Sequence, residues 1–124
     1  DFPGGFPGDT RSCFTTEGRT KAENDMFRWT ARLLHWRQGN EVITKGKQTQ
    51  FIPQNGVYVV ARSYNGKNVM TVINGTSKAA TMKAERYAEI IGDAQEATNI
   101  LTGHKINISK DVKLAPRGVM VLEF

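Results

Sequence analysis

The sequence predicts a mainly β chain: a small antiparallel β-sandwich preceded by a loop and one long α-helix. Three observations predict it. Apolar residues recur at helical spacing over residues 21–38. From residue 49 the period switches to two, the spacing of strands that face a core on one side. Asn-Gly pairs at 55–56, 65–66 and 74–75 punctuate the second part as turns do.

Residues 1–19 read as an irregular loop, because Pro3, Gly4, Gly5, Pro7, Gly8 and Gly18 all interrupt regular structure. Thr20 then stands as a helix N-cap with Glu23 three residues on, the pattern of a capping box. Met26, Trp29, Leu33 and Trp36 follow one helical face, and Phe27, Ala31 and Leu34 widen it. Gly39 suits the position just past the helix end. So apolar a helix needs a partner surface, and its two tryptophans read as packing residues before they read as a sugar platform.

The expected strands are 50–52, 57–64, 68–74, 97–101, 105–108, 112–114 and 118–124. Asn65-Gly66 sits between VYVVARSY and NVMTVIN, which predicts a hairpin with a type I′ turn, whose two central residues need φ > 0. Residues 84–91 suit a short helix or an irregular strand, and Thr102-Gly103-His104 a tight turn. Both faces of 57–62 are largely apolar, as in a central strand. Residues 1–42 and 43–124 therefore form separate parts, with the β-sandwich confined to the second.

Apolar residues are 39% and charged residues 23% of the chain, values of a globular domain. No run approaches the roughly 18 apolar residues that span a bilayer. The opening DFPGGFPGDTR has neither the basic nor the apolar region of a signal peptide, and no initiator Met, so the chain reads as a piece of a longer protein. The net charge of +5 comes entirely from residues 43–124, with eleven basic and six acidic side chains. Those cations stand singly, without the stripe that tracks a nucleic-acid backbone, so neither nucleic acid nor membrane is expected as a partner. The single cysteine, Cys13, excludes an intrachain disulfide and has no His close in sequence to activate it.

Catalytic patterns are missing. There is no G-x-S-x-G elbow and no phosphate loop, and His35 and His104 lack metal-ligand spacing. Asn74-Gly75-Thr76 and Asn107-Ile108-Ser109 match the glycosylation pattern and are read here as turn or strand residues. Phe51, Tyr58, Tyr64, Tyr87 and Phe124 are the aromatics of the β part, with Tyr64 and Tyr87 the candidates for exposure.

In order, DFPGGFPGD, FTTEGRT, AENDMFRWTARLLHWRQGNEVITKGK, FIPQNGVYVVARSYNGKNVMTVIN, RYAEI, NILTGHKINI and LAPRGVMVLEF resemble the C-terminal end of the α-amylase superfamily, especially its neopullulanase and cyclomaltodextrinase branch. The resemblance implies that residues 1–19 are the loop after the eighth strand of a catalytic (β/α)8 barrel and residues 20–39 its eighth helix. It implies a C-terminal β-sandwich from about residue 44. The parent would be a retaining α-glycosidase, bacterial, periplasmic or cytoplasmic, whose catalytic carboxylates lie upstream of Asp1. Loops of this kind sit on the active-site face of such barrels, which makes Asp1 the candidate substrate-proximal residue. No catalytic residue, metal site or cofactor is expected within the chain itself, and any calcium would belong to the parent enzyme. The expected partners are the chain's own catalytic barrel, α-glucan indirectly, and a second copy through the apolar helix. The functional expectation is an accessory domain that stabilises the barrel. The alternative is a module that holds starch-like polysaccharide, which the scattered aromatics favour less.

Overall fold

A computed structural model describes residues 2–124; Asp1, the one candidate substrate-proximal residue, lies outside the described residues. The chain divides into two units, one up to Gly39 and the other Asn40–Phe124.

The first unit is a loop followed by helix α1, Lys21–Gln38. The capping box forms as expected: Glu23 N–H donates to the Thr20 hydroxyl, and Thr20 N–H donates to the Glu23 carboxylate at 2.8 Å. Two orphan donors of the first turn are thereby satisfied. Gly39 ends the helix with φ −86°, so the left-handed freedom of glycine is not used there. No residue of α1 is buried.

The second unit opens with a five-residue helix α2, Glu41–Lys45, which periodicity is too short to reveal. Asn40 caps it, its side-chain oxygen accepting from Val42 N–H at 3.0 Å. Eight strands follow: β1 Lys47–Gln50, β2 Val57–Tyr64, β3 Lys67–Asn74, β4 Ala80–Met82, β5 Glu96–Asn99, β6 Lys105–Asn107, β7 Val112–Leu114 and β8 Val119–Glu123. Between β4 and β5 lies a single 3-10 turn, Ala84–Tyr87, running into one turn of α-helix, α3, Ala88–Ile91. The strands form a six-stranded antiparallel sheet ordered β1-β2-β3-β8-β5-β6 and a two-stranded sheet, β4-β7. The expected sandwich is therefore present. The first strand starts three residues earlier than predicted and stops before Pro53, which cannot donate to a ladder. Strand β4, ATM, is not among the expected strands, because it lacks the clear apolar alternation that marks the equally short β7.

The core lies between the sheets. Alternation along β2 turns Val57, Val59 and Ala61 inward, and β3 and β8 add Met70, Val72 and Leu122. Met82 of β4 and Val112 and Leu114 of β7 face them. Tyr87 closes one end with only 2% of its surface exposed, its ring edge-on to Phe51 at 4.8 Å. Of the two candidates for exposure, Tyr64 and Tyr87, the second is a core residue, because the helical turn 84–91 folds it inward.

Candidate functional site

Two regions present side chains that are not consumed by the core, and each belongs to one unit. The first is the loop before α1. Asp9 accepts from the backbone N–H of Gly4 at 2.6 Å and of Phe6 at 3.0 Å. Those bonds, Phe6 foremost, hold its carboxyl below the ordinary value. Arg11 grips Glu23 through both terminal nitrogens, at 2.8 and 3.0 Å. With Thr20 N–H adding a further donor, the Glu23 carboxyl is lowered to about 2, the Arg11 hydrogen bond being the largest cause. Arg19 donates to Asn24 and to the Cys13 carbonyl and lies 4.1 Å from the centre of the Phe27 ring. Beside it an apolar groove of about 630 Å³ is walled by Phe2, Phe14, Met26 and Phe27. The charged groups along this groove, Arg19 and Glu23, already have partners. It can receive apolar side chains, but it offers few free hydrogen-bond donors or acceptors to a sugar.

The second region is the face of the large sheet turned away from the core. Register places Tyr58, Ile73 and Val119 in one row and Val60, Thr71 and Val121 in the next. Tyr58, Val60 and Ile73 are half-buried, and Val119 is 45% exposed. Helix α2 lies over the far end of this face. Arg62 donates there to the carbonyls of Ile43 and Gly46, tying α2 to β2. Of the expected aromatics, Phe51 and Phe124 pack on the core and Tyr87 is within it. Tyr64 is 37% exposed, with Lys45 Nζ 5.9 Å from its ring centre. Tyr58 and Tyr64 stand six residues apart on one strand, roughly 20 Å. The rings therefore do not assemble into one platform.

The polar residues that composition did not single out are two buried asparagines. Asn74 donates to the carbonyls of Lys78 and Ala115 at 2.7 and 2.9 Å and accepts from Thr76 N–H and its hydroxyl. Asn99 accepts from the N–H groups of Leu101 and Val121. A threonine two residues after Asn74 was the available signal for such a turn. Asn107 accepts in the same way from Ser109, so both glycosylation-like triplets are side-chain-closed turns. His35 and His104 are exposed and in different units. Among the described residues no group of three or more His, Cys, Asp or Glu is placed to hold a metal ion, and no helix is long and apolar enough to cross a membrane.

The two buried asparagines thus tie turns and strands of a β-sandwich together. Residues 48–123, more than half of the chain, match the model of the cyclo-malto-dextrinase C-terminal domain, and the chain belongs to that family. Solved structures share the fold. AmyP in complex with maltose matches with a TM-score of 0.68 and 18% identity, over 84% of this chain and 21% of its own. The α-amylase from Geobacillus thermoleovorans complexed with acarbose matches at 0.67 and 17%, over 85% and 23%. The noncanonic maltogenic α-amylase AmyB from Thermotoga neapolitana matches at 0.65 and 17%, over 82% and 26%. The chain thus spans about a quarter or less of the length of each of these structures.

Proposed function

We propose that this chain serves as the C-terminal accessory part of an α-glucan-hydrolysing enzyme of the α-amylase family, stabilising the catalytic barrel without taking part in the chemistry. The observation that carries the reading is helix α1: eighteen residues long, none buried, with Met26, Phe27, Trp29 and Leu34 all exposed. A helix of that kind is stable only against a larger apolar body. On this reading the loop and α1 are the last unit of the barrel, and Asp1 is its substrate-proximal residue. The half-buried row Tyr58, Ile73 and Val119 suits packing of the sandwich on the same body. The scattered aromatics favour this over a glycan-holding role.

The test uses the full-length protein. Deleting residues 48–123 should lower the thermal midpoint of the catalytic part and leave bond specificity unchanged. A deletion that leaves stability intact but abolishes binding to soluble starch would overturn the reading in favour of a glycan module.

A further inference from the structure

Of the three Asn-Gly pairs, one combines an exposed asparagine with a glycine that no neighbour crowds. We infer that Asn65 is a site of spontaneous, sequence-directed modification, in which its side-chain amide is lost to form aspartate and isoaspartate within the β2–β3 hairpin. In this chemistry the backbone nitrogen of the following residue attacks the asparagine side-chain carbonyl carbon. The bond to the side-chain nitrogen breaks, and ammonia leaves with the proton of the attacking N–H. Water then opens the cyclic succinimide at either carbonyl. A glycine after the asparagine leaves the attacking nitrogen without a neighbouring Cβ in its path.

The three pairs differ in how far the fold blocks that attack. At 74–75, Asn74 is buried and its side chain is held by four hydrogen bonds, while Gly75 N–H is engaged by the Gly56 carbonyl at 2.9 Å. At 55–56, the side chain of Asn55 is exposed, but Gly56 is stitched to Gly75 through that same bond and lies under the Thr76 methyl, with no room for a Cβ. At 65–66, both residues are exposed and a Cβ on Gly66 would meet nothing within 4 Å. As at 55–56, no hydrogen bond among the described residues engages the glycine N–H or the asparagine side chain; what differs is that no neighbour crowds Gly66. Only the Tyr64–Lys67 end of the ladder holds this turn closed.

The consequence is structural. Isoaspartate adds a methylene to the main chain in a turn of two residues, where Asn65 must sit at φ 50° and Gly66 at φ 76°. A longer turn no longer matches the register of β2 with β3, which runs through the middle of the sheet.

The experiment holds the full chain at mildly alkaline pH and follows each pair by peptide mass mapping and isoaspartyl methyltransferase labelling. Asn65 is expected to convert several-fold faster than Asn55, and Asn74 to stay intact until the chain is unfolded in urea. Asn65→Gly keeps a left-handed turn and removes the fast phase, with circular dichroism reporting that the fold is retained. Conversion of Asn55 or Asn74 in the folded chain as fast as Asn65 would overturn the inference. So would an Asn65 that stays unmodified over a period in which the urea-unfolded chain converts.

Discussion

Arg11 holds Glu23 in a two-pronged ion pair, nitrogens 2.8 and 3.0 Å from the two carboxylate oxygens, although twelve residues separate them. The same carboxylate closes the capping box on Thr20, so one side chain fixes both the helix start and the path of the loop. The fold lowers the Glu23 carboxyl from its ordinary 4.5 to about 2. A folded value below the unfolded one means that the stabilisation is full above about 4.5 and is lost as pH falls towards 2. Helical circular dichroism of the chain should therefore decline across that interval. Glu23→Gln should flatten the decline and start from a lower helicity. An unchanged acid profile in this variant would contradict the assignment.

Asn74 carries a heavier structural role than its place in a turn suggests. Asn74→Ala removes four hydrogen bonds and leaves Thr76 N–H without its acceptor. The Thr76 hydroxyl still reaches the Lys78 carbonyl, and Gly118 N–H still reaches that of Ala115. The variant should cost about 2 kcal/mol in urea unfolding. Asn74→Asp keeps the acceptor and loses both donors. Its cost should grow as pH rises through the carboxylate range, because a charge is then buried beside two carbonyls.

Gly56 and Gly66 have the same φ of 76°, yet they should respond differently to alanine. At Gly66 the added methyl meets open space, so only the left-handed backbone is penalised, by about 1 kcal/mol. At Gly56 the methyl also collides with Thr76, and the loss should be clearly larger. Equal losses in chemical denaturation would show that Thr76 moves aside freely.

The chain studied on its own should self-associate through α1. Trp29 is 40% and Leu34 54% exposed. Light scattering should give a mass that rises with concentration. Leu34→Lys together with Trp29→Lys should return it to that of one chain, with the sandwich unfolding at the same denaturant midpoint.

Much of this was legible from local rules. The T-x-x-E pattern marks the start of α1, and alternation marks β2 and β3 to within a residue. Asn65-Gly66 marks the hairpin because few other residues accept two consecutive positive φ values. Illegible were α2, whose five residues are too few for a helical period, and β4, whose ATM lacks the clear apolar alternation that marks the equally short β7. Equally hidden was the inward turn of Tyr87, which depends on Phe51 from a distant loop. The apolar row Tyr58, Ile73 and Val119 needs the pairing of three strands before it exists as a surface. Pairing partners far apart in sequence leave no trace in a local window.

Strand β8 bonds to β3 on one side and to β5 on the other. The β1–β3 meander and the β5–β6 hairpin can each close on nearby turns, yet in the ladder they are joined only through Val119–Glu123. A refolding measurement in which Leu122→Ala slows folding in proportion to the stability it removes would place that insertion in the rate-limiting step; an effect on unfolding alone would put it afterwards. Because the joining segment is encoded last among the strands, a nascent copy carries two unmatched sheet borders until the segment arrives. The domain's most vulnerable moment for edge-to-edge clumping thus falls late in its synthesis.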